Sequence, residues 1–235
     1  MKKTAIISGA SRGIGKATAR KLSVLGYKVA LLSRNEKEMN ETKQLLEITV
    51  DDVLVIPTNL RNEEEVVNSV GAIMEKFGRI DLLVSNAGVG FFHKVESISN
   101  LEWDEIMEVN LKGNFLMTKA VVPIMKKQGN GHIIGVASDV SKRGEPSCSA
   151  YCASKYGQDG FFHSVRKELR HDGIKVSVVY PGLVDTHFGD RTPGNDDEFS
   201  MLRPEDVAEA IAYIAGAPPH VVIDELMIHP LGQEY

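Results

Sequence analysis

Short apolar runs alternate along the chain with segments whose apolar residues recur every three or four positions. Seven runs have strand character, at residues 4–7, 28–32, 53–56, 81–84, 131–136, 174–179 and 221–228. Between them Ile14, Thr18, Leu22 and Leu25, then Val66, Val70, Ile73 and Phe77, and later Phe162, Val165 and Leu169 keep helical spacing. Each of these helices therefore has one stripe to bury on a sheet. Gly26 and Gly78 stand where two stripes end, and Pro204 with Glu205 and Asp206 suits the first turn of a late helix. The order strand, helix, strand predicts an α/β fold whose parallel sheet is covered on both faces. The least regular stretch, 185–203, mixes Gly, Pro, Asp and Asn just after a strand, where open α/β sheets bind ligands; it is expected to form a substrate lid.

Composition narrows this picture. A chain of 235 residues with 43% hydrophobic content suits one large domain spanning 1–235, without internal repeat or linker. A formal charge of −5 offers no basic stripe for nucleic acid and no polybasic patch for a membrane surface. Met1-Lys2-Lys3 followed by Ala5-Ile6-Ile7 imitates the start of an export signal, but Gly9 and Arg12 end the apolar run too soon, so a soluble, cytoplasmic protein is expected. The two cysteines, Cys148 and Cys152, lack the further ligands a zinc site needs; no metal is expected, and a reduced pair lining the cleft is the simpler reading.

Candidate chemistry gathers at two places. The first strand runs into Ser8-Gly9-Ala10-Ser11-Arg12-Gly13-Ile14-Gly15 and then a helix, so free backbone N–H groups and the helix dipole converge on one point. Glycine there permits positive φ and the close approach that a pyrophosphate demands. Tyr151 and Lys155 lie four residues apart and share a helix face, thirteen residues after Ser138. A cation held beside a phenol favours the phenolate, so Lys155 is expected to lower the pKa of Tyr151 towards the range useful for proton transfer.

Together with Asn86-Ala87-Gly88, Asn110 and the run Pro181-Gly182-Leu183-Val184-Asp185-Thr186, these residues resemble the short-chain dehydrogenase/reductase family over nearly the whole chain. The resemblance implies a single doubly wound Rossmann-type domain with strand order 3-2-1-4-5-6-7. It implies that Tyr151 exchanges a proton with the substrate oxygen while hydride moves to or from a nicotinamide. By the same resemblance Lys155 holds the nicotinamide ribose, Ser138 donates to the carbonyl oxygen, and Asn110 keeps a water beside the lysine. Pro181, Gly182, Val184 and Thr186 would receive the nicotinamide and its carboxamide, and Asn86, Ala87 and Gly88 would line the cofactor. Asn59-Leu60 stands where relatives commonly have an aspartate near adenine, and Ser85 replaces the first asparagine of their N-N-A-G. Enzymes that use NAD usually follow the second strand with an acidic residue on the ribose 2′-hydroxyl. Here Ser33-Arg34 follows, and with Arg12 it suits a 2′-phosphate, so NADP(H) is the expected cofactor.

The substrate is expected to be a carbonyl or alcohol bound among Phe91, Phe92, His93, Val140, Glu145, Cys148 and Phe188, with an apolar or aromatic character suggested by the phenylalanines. A 3-oxoacyl-carrier-protein reductase is the second reading, for which Lys142 and Arg143 supply a modest basic rim; a regulator that binds NADP without turnover is the third. Relatives of this size are usually dimers or tetramers, and Met117, Phe161 and Phe162 are candidates for a helical interface between copies.

Overall fold

The computed structural model describes residues 1–189, 191–194 and 200–234. Seven strands form one parallel sheet in the order β3-β2-β1-β4-β5-β6-β7: β1 Thr4–Ser8, β2 Lys28–Ser33, β3 Val53–Pro57, β4 Leu82–Ser85, β5 Gly131–Val136, β6 Ile174–Pro181 and β7 Glu225–Ile228. The expected order and parallel sense are those observed.

The period-2 alternation of the strands sorts the core into two layers. Ile6, Leu83 and Ile133 face one side, where α3 (Glu63–Phe77), α5 (Gly113–Gln128) and α6 (Ser149–Leu169) bring Val66, Ile73, Met117, Val121, Phe162 and Leu169. Ala5, Ile7, Leu82 and Ile134 face the other, covered by α1 (Gly13–Val24), α2 (Glu36–Gln44) and α7 (Pro204–Ala215) through Leu22, Met39, Val207 and Ile211. Both faces of β1 are thus buried, which is why its centre, Ala5-Ile6-Ile7, is apolar on successive positions.

Local chemistry sets the helix ends. Asn62 caps α3, accepting from the Glu64 and Glu65 amides, and Gly78 ends it in the left-handed conformation with φ 76°. Ser99 and Glu102 form a capping box on the short α4 (Asn100–Ile106), and Pro204 occupies the first turn of α7 as expected. Two expected elements are shorter than their sequence patterns. Leu25 is the C-cap of α1 and half exposed, so the helical stripe ends at Leu22. The last strand starts at Glu225 instead of 221, because Val221 and Val222 follow the Pro218-Pro219 pair at the sheet's open edge and remain partly exposed. Met117 and Phe162 are wholly buried in the core, so neither is available as a surface between copies; Phe162 packs under Gly135 of β5. The exposed aromatic face on these helices is instead Phe115, edge-on to Phe161 at 6.3 Å.

His132 shows how strongly the sheet constrains a polar side chain. It sits in β5, buried, with Nε2 2.8 Å from Ser177 Oγ of β6, and burial lowers its pKa from 6.5 to about 3. The folded state therefore keeps it neutral while the unfolded chain protonates it below its ordinary pKa. Stability is lost as pH falls from about 6.5 towards 3, on the order of 3 kcal/mol from this group by pH 4. Chemical denaturation of His132→Gln and the parent at pH 7.5 and pH 4 should show the difference moving in the variant's favour by that order.

Among the described residues no helix is long and apolar enough to cross a membrane.

Candidate active site

The carboxyl ends of β1, β2, β4, β5 and β6 open on a cavity of about 860 Å³ that contains both expected centres of chemistry. At its floor the β1 turn is built around a contact only glycine allows. Gly9 has φ 67°, and a Cβ there would lie 2.9 Å from Ala87 Cα, so the turn after β1 packs directly on the segment after β4. Ser8 Oγ accepts from the Asn86 and Ala87 amides at 3.0 and 3.1 Å, and Asn86 Nδ2 donates to the Ser8 carbonyl at 3.0 Å. These bonds fix the mouth between β1 and β4, the point where the strand order reverses and α/β sheets hold their ligands.

Gly9, Ser11, Arg12, Gly13 and Ile14 line this end, followed by Ser33, Arg34, Asn59 and Leu60, then Asn86, Ala87 and Gly88. Gly15 does not reach the cavity; it packs behind the turn, where a side chain would overlap the Gly9 carbonyl. Ser33 Oγ donates to Ser11 Oγ at 3.3 Å, joining the β2 end to the glycine turn. Arg12 is exposed, and Arg34, also largely exposed, has Nη1 3.5 Å from Glu105 Oε1. Asn35, Glu38 and Thr58 line the same end without having been singled out in the sequence; Glu38 adds one carboxylate beside the two arginines. An Asn-x-x-Glu pair that caps α2 is an ordinary helix start, which hid its position at the rim.

Ser138, Tyr151 and Lys155 meet at the opposite end, with Pro181, Gly182, Val184 and Thr186 of the β6 turn across from them. Lys155 Nζ is buried, donates to the Val136 carbonyl at 3.1 Å and stands 5.6 Å from the centre of the Tyr151 ring. Burial lowers its pKa to about 7. Burial also governs Tyr151, raising its pKa, while a hydrogen bond with Ser138 opposes the rise and Asp139 adds to it. The lowering expected from Lys155 is not among the influences on the phenol; desolvation dominates and holds it protonated at neutral pH.

Asn110 is wholly buried and lies just behind the cavity wall, in a π-helical turn (Met107–Lys112) between α4 and α5. Its Oδ1 accepts from the Val89 amide at 2.8 Å, and Nδ2 donates to the Val89 carbonyl at 2.9 Å and to Ser154 Oγ at 3.0 Å. The side chain is spent on the loop after β4 and on α6, the helix that carries Tyr151 and Lys155. Widened turns of this kind recur at functional sites.

Phe92, Tyr151 and Phe188 form an aromatic cluster, with centroids 5.8 Å apart for Phe92 and Tyr151, 5.4 Å for Tyr151 and Phe188 and 6.1 Å for Phe92 and Phe188. Val140, Glu145 and Cys148 line the same end as expected. Phe91 and His93 do not. His93 is turned outward, 3.2 Å from Glu102 Oε1, because the loop after β4 places only Phe92 inward. Cys148 lines the cavity and burial raises its thiol, whereas Cys152, one helical turn on, is buried in the helix packing; both are free. The stretch expected to form a lid is closed at its base: Val184 and Leu202 form a parallel bridge, and Gly194 N donates to the Asp185 carboxylate at 2.9 Å. Residues 190 and 195–199 of that stretch lie outside the described residues. Sequence reasoning missed Asp139 and Gly232, Gln233 and Glu234, all of which line the cavity, as does Arg143 of the expected basic rim.

A family model described as short chain dehydrogenase matches residues 3–196. The chain belongs to the short-chain dehydrogenase family. An uncharacterized oxidoreductase of Staphylococcus aureus (strain USA300) is 35% identical over 230 residues, with 97% of each chain covered. Among solved structures, an alcohol dehydrogenase from the archaeon Thermococcus sibiricus, complexed with 5-hydroxy-NADP, is 33% identical at a TM-score of 0.93, covering 100% of this chain and 99% of that one. A metagenomic short-chain oxidoreductase in complex with NADP is 31% identical at 0.85, covering 97% and 96%. As a short-chain dehydrogenase the protein is an oxidoreductase acting on CH–OH groups.

Proposed function

We propose that the protein interconverts an apolar or aromatic carbonyl compound and its alcohol with NADP(H). The observation that carries this reading is that one cavity joins a glycine turn suited to a pyrophosphate to Ser138, Tyr151 and Lys155 beside an aromatic cluster. The residues suit that cofactor: Gly9, Ser11, Arg12, Gly13 and Ile14 of the turn line the cavity where α1 begins, and Arg12 and Arg34 outnumber Glu38 at the end where a 2′-phosphate would be recognised. The two solved relatives above carry NADP or a derivative of it. NADP(H), when bound, supplies or accepts the hydride.

The chain does the rest. Gly9, Ser11, Gly13, Ile14, Asn86, Ala87 and Gly88 hold the dinucleotide, Ser33, Arg34 and Arg12 its 2′-phosphate, and Asn59 with Leu60 its adenine. Pro181, Gly182, Val184 and Thr186 place the nicotinamide, and Lys155 holds its ribose. In reduction the protonated Tyr151 hydroxyl donates its proton to the substrate oxygen, and Ser138 Oγ donates a hydrogen bond where negative charge develops. In oxidation Tyr151 takes the proton. Asn110 fixes Val89, and so the wall against which Lys155 and the substrate lie. Phe92 and Phe188 shed water from the reacting oxygen and favour an apolar substituent on the substrate.

The carrier-protein reading is weaker, because its basic rim is already engaged. Lys142 pairs with Asp159 at 2.9 Å and Glu225 at 3.4 Å, and Arg143 pairs with Asp139 and Glu145. A helical pairing of two copies would use the face on which Phe115 and Phe161 meet.

The test is oxidation of NADPH and NADH with a panel of aryl and alkyl aldehydes and ketones and one 3-oxoacyl thioester. Turnover of aryl ketones with NADPH is expected. Turnover of the thioester alone would give the carrier-protein reading, and failure of every substrate would give a non-catalytic NADP-binding regulator. Arg34→Ala should lower kcat/KM for NADPH by about 10- to 100-fold, the worth of a charge-assisted hydrogen bond, while leaving that for NADH unchanged. A kcat/KM favouring NADH in the parent would overturn the cofactor assignment.

A further inference from the structure

After β7 the chain turns through His229 and Pro230 and comes back over the active site. Gln233 then makes two hydrogen bonds with one amide group. Its Oε1 accepts from the Leu183 N–H at 2.9 Å, and its Nε2 donates to Asp139 Oδ2 at 2.8 Å. The first partner belongs to the turn after β6 and the second follows Ser138, so a side chain near the C-terminus bridges two walls of the cavity that are otherwise separate loops. The turn is shaped for this contact: a Cβ on Gly182 would collide with Gln233 Oε1 and lie 2.6 Å from His229 Cδ2.

Asp139 is buried and shares its carboxylate between opposing demands. Oδ1 accepts from Ser138 Oγ at 3.1 Å, while Oδ2 accepts from Gln233, from Arg143 Nη2 at 2.9 Å and Nε at 3.3 Å, and has His229 Nε2 at 3.6 Å. A serine hydroxyl has one proton to give. While it goes to Asp139 it cannot go to a substrate oxygen. Donors gathered on Oδ2 draw the carboxylate's charge away from Oδ1 and make it a poorer competitor for that proton.

We propose that Gln233 is a positioning residue of the active site, which ties the Ser138–Asp139 loop to the Gly182–Leu183 turn and keeps the serine hydroxyl available to the substrate. The inference rests on the functional reading above for the role of Ser138 and of the turn, and on the two hydrogen bonds alone for the bridge.

Two variants separate the parts. Gln233→Ala removes both bonds. Gln233→Glu keeps an acceptor for Leu183 and replaces the donor to Asp139 by a second carboxylate. In the cofactor-free protein, amide exchange at Leu183 followed by NMR should quicken by about tenfold or more in Gln233→Ala and stay near the parent in Gln233→Glu. With NADPH and the best ketone of the panel, kcat should fall by about tenfold in Gln233→Ala and further in Gln233→Glu, while NADPH binding, read by its fluorescence, changes little. The pH profile gives the sharpest readout. A glutamate facing Asp139 has a raised pKa, and once protonated it can donate to Oδ2, so the activity of Gln233→Glu relative to the parent should recover as pH falls. The charged and titratable groups around Oδ2 are Asp139 itself, Arg143, Glu145 behind Arg143, His229, Cys148 and Tyr151; the variant and parent share all of them, so the ratio isolates position 233. An unchanged Leu183 exchange in Gln233→Ala overturns the bridge, whether or not the parent turns over any substrate. Quickened exchange with an unaltered kcat, or a loss of kcat in Gln233→Glu that acid does not relieve, overturns the action on Ser138.

Discussion

Tyr151→Phe should lower kcat by about 10²- to 10⁴-fold, the range ascribed to a positioned general acid, while NADPH binds with nearly the parent affinity. The expectation follows from where the hydroxyl is and from what surrounds it. Tyr151 lies in the cavity beside Ser138 and Lys155, against Phe92 and Phe188, and burial keeps its hydroxyl neutral, with its proton in place, at neutral pH. Removing it leaves the aromatic packing intact, since the ring contacts at 5.4 and 5.8 Å need only carbon atoms. The glycine turn and the arginines proposed to anchor the cofactor lie at the other end of the cavity and are untouched. Stopped-flow reduction of the chosen ketone, together with NADPH fluorescence titration, checks both halves. Parent-like turnover in the phenylalanine variant would remove Tyr151 from the chemistry and with it the proposed mechanism.

The fold was legible because its signals are local and repeated. The central strands are mostly apolar on both faces, each long helix carries one stripe, and glycines at positive φ mark the ends of segments such as α3. Parallel order could be reached only through the family resemblance, since nothing in an apolar run names its neighbour. The site was legible where chemistry depends on residue type at short spacing, as in Ser8 to Gly15 or Tyr151 with Lys155. It was illegible where function is created by long-range return of the chain. Gln233 lies 94 positions from Asp139 and 50 from Leu183, and an isolated glutamine before the terminus has no pattern to announce it. His93 fails for the converse reason: it adjoins Phe92 in sequence, but one residue of rotation in a loop turns it to solvent and Glu102. The same lack of depth information placed Met117 and Phe162 at a surface, when an apolar residue on a helix between sheet and solvent reads alike from either side.

Lys155→Met should abolish most activity and yet make the protein harder to unfold at neutral pH. The lysine is buried, its ammonium donates to the Val136 carbonyl at 3.1 Å with no carboxylate among its partners in the described residues, and burial brings its pKa down to about 7. In the unfolded chain the same amine titrates near its ordinary value of about 10.4. Between these two values the unfolded state binds a proton that the folded state does not, so the fold is penalised as pH falls through this window, and the penalty is complete below about pH 7. Its full size is on the order of 4–5 kcal/mol, and a methionine of similar length escapes it. Against this stands the Val136 carbonyl, which loses its donor at a cost of about 1–3 kcal/mol. The balance favours the variant by a few kcal/mol at pH 7 and turns against it by pH 10.5, where the folded lysine is neutral, the unfolded one is only about half protonated, and little of the penalty is left. Urea denaturation of the two proteins across pH 7 to 10.5 should therefore show their stabilities converging and crossing. Constant separation over that range would mean that Lys155 is solvated or paired in the folded protein, and that the active site does not hold a cation at the expense of the fold.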